Sequence, residues 1–281
     1  MTLRSLLFVP ADRPERFAKA AASGADALIL DLEDSIAPEK KEAGRAAIAE
    51  WLAGERQVST FVRINPLNST FADADLAVVL PGHPDGIVLP KAEGVASIAA
   101  LLAKAGDAPV PPILPIATET AAAIFQLESY GDVASRLAGL TWGAEDLPAA
   151  IGAVGSRHPD GTYTAPYEMV RSLTLFGAHA AGVAAIETVY PAIRDEAGLA
   201  AYAARGAYDG FTGMMALHPA QVPIINAAFT PSAEQVAHAR AVVSAFAEAP
   251  GAGVLMLNGA MIDAPHLIQA RKILARAGIE A

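Results

Sequence analysis

The 281-residue chain contains no cysteine, and it is poor in positive charge. The missing thiols exclude cysteine catalysis, thiolate metal sites and disulfide bonds, and they are compatible with a reducing cytosol. The chain has 20 lysines and arginines and 30 acidic residues, which gives a net charge of −10, and the basic residues form no continuous run. That balance argues against a nucleic-acid or anionic-membrane partner, so an anionic substrate needs a local basic pocket.

Long apolar segments are also absent from the sequence. No stretch approaches the roughly 20 apolar residues of a membrane span. The apolar run from Ser5 to Pro10 is too short, and too soon broken by proline, for a signal peptide. We therefore expect a cytoplasmic protein that does not bind membranes.

The chain is nevertheless 53% hydrophobic, with a mean hydropathy of +0.34, which is enough to build a large core. Short β-like runs alternate with alanine-rich helical stretches, a pattern typical of parallel strands joined by crossover helices. Helices are predicted at 38–52, 94–103 and 120–129, among others. Strands are predicted at 4–9, 27–32, 60–64, 86–89, 112–117, 137–142, 184–187 and 210–212. Eight such units predict an α/β fold, the (β/α)₈ TIM barrel.

Two segments fall outside the alternation. Residues 148–166 are rich in glycine and proline, and they predict a lid or substrate loop after the sixth strand. Residues 231–248 predict a helix, 255–261 a hairpin and 265–277 a last helix. We expect a barrel domain over 1–230 and a C-terminal extension over 231–281.

Polar side chains follow most predicted strands. Glu119 follows the fifth strand and Asp146 the sixth, so the barrel should bring both to one face, where two carboxylates suit a hard cation such as Mg²⁺. One such residue is ordinarily a helix N-cap. Polar residues end six strands, however, and crowded carboxylates call for a cation among them. Glu145 accompanies Asp146 at the sixth end, and the other four ends carry Asp31 to Asp34, Arg63 to Asn65, Lys91 to Glu93, and Glu187.

Arg63 ends the third predicted strand, which should place its guanidinium at the barrel mouth. There it could bind a carboxylate as a fork or stabilise an oxyanion; the alternative is a structural salt bridge to Asp31 or Asp34. Lys91 and Arg13 are further candidates, with surface charges as the alternative. Neither a dinucleotide-binding nor a P-loop glycine motif occurs.

Short motifs that begin at Arg4, Asp31, Val62, Leu89, Thr118, Gly143, Leu217 and Met261 run in order from end to end of the chain. Together they resemble the CitE-like, HpcH/HpaI-type acyl-CoA lyases, which include the citrate lyase beta subunit, malyl-CoA lyase and citramalyl-CoA lyase. Two positions depart from the family pattern: Met214, where a basic residue is frequent, and Glu187, where aspartate is common.

The resemblance implies Mg²⁺ bound by Glu119 and Asp146, and substrate contacts from Arg63, Glu119, Arg4 and Asp34. It also implies that the segment ending at Asp263 closes over a neighbouring subunit's site, with Asp263 transferring a proton. A homo-oligomer, trimer or hexamer, is then expected. The residues alone favour an N-cap of the last helix as the role of Asp263, and the resemblance reverses that preference.

The expected activity is Mg²⁺-dependent cleavage of a 3-hydroxy-3-carboxy acyl-CoA, such as malyl-CoA or citramalyl-CoA, into acetyl-CoA and glyoxylate or pyruvate. Arg63 would stabilise the enolate, with Glu33 and Asp34 in support. One alternative is a citrate lyase beta-like subunit acting on a citryl thioester of an acyl-carrier partner. Another is a non-catalytic barrel that binds CoA esters.

Overall fold

A computed structural model describes residues 3–280 of the chain. Within that range, eight parallel strands form one sheet. The strands are β1 (Ser5–Pro10), β2 (Ala27–Asp31), β3 (Ser59–Arg63), β4 (Gly86–Leu89), β5 (Ile113–Pro115), β6 (Gly139–Thr141), β7 (Ala184–Glu187) and β8 (Gly213–Ala216).

The sheet closes into a barrel. Strand β1 pairs with β2 on one side and with β8 on the other. The remaining edges, β5 and β6, are joined by parallel bridges from Ile113 to Leu137 and from Ile116 to Thr141. These bridges bring the two edges together in a nearly closed barrel, which confirms the predicted TIM barrel.

The barrel interior is filled by apolar side chains that recur every second residue, such as Ile29 on β2 and Phe61 on β3. The same inward rows end in charged residues. Asp31 and Arg63 lie two positions beyond Ile29 and Phe61, and they are partners in the register of β2 and β3. Their position in the two strands therefore brings these opposite charges together.

Helices connect the strands and cover the barrel. Those of the barrel unit are α1 (Phe17–Ala21), α2 (Lys41–Ala53), α3 (Ala72–Val79), α4 (Gly94–Ala105), α5 (Ala121–Ile124), α6 (Leu147–Ile151), α7 (Ala165–Ala181) and α8 (Glu196–Asp209), and α9 (Val222–Phe229) begins in this unit and ends in the next. Within residues 3–280, none of the helices combines the length and the hydropathy of a membrane span.

Three predicted elements differ from the structure. The eighth strand begins at Gly213, not at residue 210, because Gly210 takes a φ of 115° and ends α8. The helix predicted over 120–129 ends at Ile124, and a 3₁₀ segment follows from Leu127 to Arg136. The predicted loop over 148–166 includes most of the short helix α6.

The chain forms two compact units, residues 3–226 and 227–280. In the second unit, α10 (Ala233–Glu248) begins with a capping box between Ser232 and Gln235. The antiparallel strands β9 (Val254–Leu257) and β10 (Ala260–Asp263) turn at Asn258 and Gly259, which both have positive φ. Helix α11 (Ala264–Arg276) follows. The core of this unit contains Ala239, Val242, Ile262, Ala270 and Leu274.

Gly213 generates a prediction for stability. A Cβ atom at this position would lie 1.8 Å from the carbonyl oxygen of Leu3, a backbone atom beside the closing pair of β1 and β8. We expect Gly213→Ala to lower the free energy of unfolding by about 3 kcal/mol or more, since the clash is with backbone. Urea unfolding of the full chain measures this.

The matched control is Gly131→Ala, because a Cβ atom there meets nothing within 4 Å. Its free energy of unfolding should stay within about 0.5 kcal/mol of wild type. Equal unfolding midpoints for the two variants would contradict the tight closure at Gly213.

Candidate active site

A pocket of about 260 Å³ opens at the carboxyl-terminal ends of the strands. Charged side chains from different strand ends share it with an apolar wall. The charged lining includes Asp31, Asp34, Arg63, Glu119, Glu145 and Asp146. The apolar wall includes Phe8, Ile116, Val189, Met215 and Leu217. This is the barrel face on which enzymes of this fold carry their sites.

Arg63 forms a bidentate ion pair with Asp31. Its Nε and Nη2 atoms donate to the two carboxylate oxygens at 2.6 and 2.7 Å. The pKa of Asp31 is held below its usual value, because Arg63 outweighs the burial that would raise it. The guanidinium also lies 4.9 Å from the centre of the Phe8 ring. The predicted salt bridge therefore exists, with Asp31 and not with Asp34.

Glu33 and Lys91 extend this charge network. The Glu33 Oε2 atom lies 2.9 Å from Nη1 of Arg63, and its Oε1 atom accepts from Lys91 Nζ at 2.8 Å. Burial raises the pKa of Glu33, and the two cations only partly offset that effect. Lys91 Nζ also lies 3.2 Å from Oδ1 of Asp146. Glu33 and Lys91 thus link the Arg63 side of the pocket to Asp146.

Glu119 is almost fully buried, and its Oε2 atom accepts a hydrogen bond from the backbone amide of Lys91 at 2.6 Å. Burial raises the pKa of Glu119 to about 8, and the negative charges of Glu33 and Asp146 add to the effect. Ionised Glu119 therefore needs further positive charge nearby.

Two carboxylates that share a pocket and repel each other form a donor set that suits a hard divalent cation. Within residues 3–280, no cluster of three or more histidine, cysteine, aspartate or glutamate side chains could hold a metal ion. A cation on Glu119 and Asp146 would therefore keep most of its coordination positions for substrate and water. The residues present fit such an ion.

Behind the pocket wall, the buried Glu187 carboxylate joins β7 to its surroundings. It accepts hydrogen bonds from Trp142 Nε1 at 2.6 Å, Tyr202 hydroxyl at 2.8 Å and Arg171 Nε at 2.7 Å. The amide of Thr188, which lines the pocket, donates to it at 3.0 Å. These donors give Glu187 a structural role at the end of the seventh strand.

The loop after α6 is attached to the pocket rim through Arg157. Its Nη1 atom donates to Glu145 at 2.8 Å, and its guanidinium lies 4.3 Å from the centre of the Tyr163 ring. Burial raises the pKa of Tyr163 to about 12. The loop is therefore fixed to one acidic residue of the pocket, Glu145.

A second cleft, of about 380 Å³, adjoins the pocket and shares Phe8, Pro10 and Leu217 with it. Its lining includes the basic side chains of Arg16 and Lys19. The cleft offers the local positive charge that an anionic group on a long substrate requires.

Two further residues predicted from the resemblance have other partners in the structure. Arg4 precedes β1, at the end of the strand opposite the pocket, where Nε and Nη2 donate to Asp26 at 2.9 and 2.7 Å. This ion pair gives Arg4 a structural partner away from the pocket lining. Asp263 belongs to the C-terminal unit and begins α11, with its Oδ1 atom 2.6 Å from Nδ1 of His266.

Sequence reasoning missed the residues that hold the loop after β2. Lys41 is buried, and its Nζ atom donates to the carbonyls of Leu32 and Glu33 at 2.8 and 3.0 Å, and to Asn65 Oδ1 at 2.7 Å. These bonds fix the loop that carries Glu33. Lys41 lies in a charged run that reads as a solvated helix start, so the sequence offers no signal for its burial.

Comparison with known proteins shows which family the chain is similar to. The sequence model of the family described as HpcH/HpaI aldolase/citrate lyase matches residues 4–219. A citrate lyase subunit beta-like protein from Mycobacterium tuberculosis is 39% identical over 273 residues, covering 97% of this chain and 94% of the relative. A (3S)-malyl-CoA thioesterase from Cereibacter sphaeroides is 33% identical, covering 98% and 94%.

Among solved structures, the protein CitE from Mycobacterium tuberculosis, in complex with magnesium, acetoacetate and coenzyme A, matches with a TM-score of 0.84. The two chains are 37% identical, and the match covers 99% of this chain and 98% of the other. With the family match over most of its length and these relatives above 30% identity, the chain belongs to the HpcH/HpaI aldolase/citrate lyase family.

Proposed function

We propose that the protein is a Mg²⁺-dependent carbon–carbon lyase that cleaves a 3-hydroxy-3-carboxy acyl-CoA thioester of the malyl-CoA or citramalyl-CoA type. The products are acetyl-CoA and a 2-keto acid, glyoxylate or pyruvate. One observation carries the proposal: Glu119, Asp146 and Arg63 converge on one pocket of a family barrel. The CitE complex with magnesium and coenzyme A supports it.

Glu119 and Asp146 would hold the Mg²⁺ ion. When bound, the ion supplies Lewis-acid polarisation of the substrate hydroxyl and its neighbouring carboxylate. Glu119 is oriented for this role by the Lys91 amide, and Gly143 leaves it room, because a Cβ atom there would lie 2.9 Å from Glu119 Cγ.

Arg63 would stabilise the enolate oxygen of the thioester as the carbon–carbon bond breaks. A guanidinium has five N–H donors, and the contacts with Asp31 and Glu33 use at most three of them. At least two donors therefore remain for substrate. The ion pair with Asp31 fixes the plane of the fork before substrate arrives.

As the carbon–carbon bond breaks, the substrate hydroxyl would lose its proton and become the keto oxygen of the 2-keto acid. The electron pair of the broken bond would pass to the thioester α-carbon, which must take one proton in turn to become the methyl group of acetyl-CoA. We assign that proton to Asp263 of a neighbouring subunit in a homo-oligomer, a trimer or hexamer. Asp34, on the pocket wall, would contact the substrate. The cleft with Arg16 and Lys19 would receive the anionic part of CoA.

A second candidate activity is hydrolysis of the same thioester, since a (3S)-malyl-CoA thioesterase is among the relatives. Hydrolysis would add water and release malate and free CoA, whereas lyase cleavage keeps the thioester. A thiol reagent separates the two reactions cleanly, because the chain has no cysteine of its own. Activity on a citryl group of an acyl-carrier protein, but not on CoA esters, would favour the citrate lyase beta-like alternative.

The first test is a panel of hydroxyacyl-CoA thioesters with Mg²⁺, scored for acetyl-CoA, keto acid and free thiol. We expect acetyl-CoA and keto acid in equal amounts without thiol release. Release of free thiol without keto acid would show that the activity is that of a thioesterase and not of a lyase. No turnover, with intact CoA-ester binding, would favour the non-catalytic alternative.

Removing either carboxylate should abolish metal binding. Glu119→Gln and Asp146→Asn keep the side-chain shape but remove the charge that a hard cation needs. We expect turnover to fall by roughly 10³-fold or more, the scale of several kcal/mol of lost Lewis-acid stabilisation. Isothermal titration with MgCl₂ should show no binding in either variant.

The matched control is Glu145→Gln, which neutralises a third carboxylate of the same pocket, one paired with Arg157. This variant should retain Mg²⁺ binding. Normal Mg²⁺ titration of Glu119→Gln and Asp146→Asn would overturn the metal assignment.

Arg63→Lys should also fail, although it keeps the positive charge. A lysine ammonium cannot bind Asp31 with two parallel hydrogen bonds and still present a fork to substrate. We expect kcat/KM to fall by at least about 10²-fold, the usual cost of losing one oxyanion donor. Arg45→Lys makes the same change at another guanidinium paired with a buried aspartate, Asp75, and should leave kcat/KM near wild type. Near-normal kcat/KM in Arg63→Lys would reduce Arg63 to a structural ion pair.

Asp263→Asn tests the proton-transfer role separately from the cap, because asparagine caps helices as well as aspartate does. We expect a loss of about 10²–10⁴ in kcat with unchanged thermal stability and Mg²⁺ affinity. Asp195→Asn, at the N-cap of α8, is the matched control and should keep its activity.

Mixing inactive Asp263→Asn subunits with inactive Glu119→Gln subunits, under conditions of subunit exchange, should then restore part of the activity. Some sites of the mixed oligomer would carry neither lesion. Proven exchange without any rescue would show that Asp263 does not serve a neighbour's site.

A further inference from the structure

Lys91 contacts three carboxylates, two that line the pocket and Glu33 beside it, through two different nitrogen atoms. Its backbone amide donates to Glu119 at 2.6 Å, while its ammonium lies 2.8 Å from Glu33 Oε1 and 3.2 Å from Asp146 Oδ1. One residue thus contacts both carboxylates of the proposed metal site, together with the glutamate that joins them to Arg63.

The backbone of Lys91 is strained in a way that serves these contacts. Lys91 follows β4 with a φ of 50°, and it is one of three non-glycine residues in the described part of the chain with positive φ. This left-handed conformation costs a side-chain-bearing residue roughly 1 kcal/mol or more. Here it accompanies an amide directed at Glu119 and an ammonium directed at Glu33 and Asp146.

The two cations, Arg63 and Lys91, share Glu33 as a partner, but each pairs with a different second carboxylate. Arg63 is committed to Asp31 and Glu33, with nitrogen–oxygen distances of 2.6 and 2.9 Å. Lys91 is the cation on Asp146. Asp146 therefore has one carboxylate to offer both to the ammonium and to a divalent ion, and the two positive charges repel each other at that distance.

We propose that Lys91 is a positioning residue that sets the affinity of the divalent-cation site: its amide fixes Glu119, and its ammonium competes with the cation for Asp146. This inference rests on the metal site of the proposed function. When the divalent ion binds, the ammonium keeps Glu33 as its partner. Lys91 thus limits how tightly the ion is held. Before the ion binds, its ammonium neutralises part of the negative charge of the carboxylates assembled there.

The test is Lys91→Met, which retains the side-chain stem and the backbone amide but removes the charge. We expect the Kd for Mg²⁺, measured by isothermal titration, to fall at least about tenfold, because one positive charge that repels the ion is removed from the site. Lys91→Arg keeps the charge and should restore a wild-type Kd. Lys104→Met is the matched control, because Lys104 has the same fractional exposure, 33%, but pairs with Asp73 outside the pocket.

Thermal unfolding supplies a second measurement. In EDTA, Lys91→Met should unfold roughly 2–4 °C below wild type, because the carboxylates lose their internal cation. In saturating MgCl₂ this difference in unfolding temperature should vanish or reverse, because the more tightly bound ion stabilises the folded variant. A residue that served only as a structural support would lower the unfolding temperature equally in both conditions.

The outcomes are distinguishable. If wild type binds Mg²⁺ and Lys91→Met has an unchanged or higher Kd, the proposed role of Lys91 is overturned while the metal site stands. An equal loss of thermal stability in EDTA and in MgCl₂ does the same. Absence of Mg²⁺ binding by wild type itself overturns the metal site of the proposed function, and this inference with it.

Discussion

Unbalanced negative charge at one rim of the barrel is the constraint on which the candidate site depends. Asp31, Glu33 and Glu119 are all buried there, and burial penalises each ionised carboxylate. Asp31 overcomes that penalty through two hydrogen bonds to Arg63, whereas Glu119 receives one backbone amide and has a pKa raised to about 8. The pocket therefore holds one fully compensated carboxylate and one that gains from a further cation.

The fold itself creates this arrangement. Inward side chains recur every second residue along each strand, so a row that starts with Ile29 ends with Asp31. Its neighbour starts with Phe61 and ends with Arg63, in register with Asp31. A shift of one residue in either strand would turn the charged side chain away from its partner and into the layer of helices.

The sequence predicted the barrel because strand-like and helix-like periods alternate regularly, and it predicted a pocket from the strand ends. It misplaced the eighth strand, since Gly210 to Thr212 reads as strand while the left-handed Gly210 belongs to a helix end. It could not show that the Lys91 amide turns towards Glu119, because left-handed backbone at a lysine has no sequence signal. Arg4 was predicted at the site because it belongs to a motif of the resemblance. It precedes the first residue of β1, however, and the starts of parallel strands lie at the rim opposite the pocket.

Closure by β1 and β8 also bears on how the chain folds during synthesis. The first strand made is held between β2 and the last barrel strand, which ends only at Ala216. Until that strand leaves the ribosome, one side of β1 presents unpaired backbone groups, the kind of edge that recruits other strands. Contacts this distant in sequence form slowly and leave nascent chains open to aggregation. Pairing with β8, the last barrel strand to be synthesised, therefore protects β1 from such intermolecular contacts.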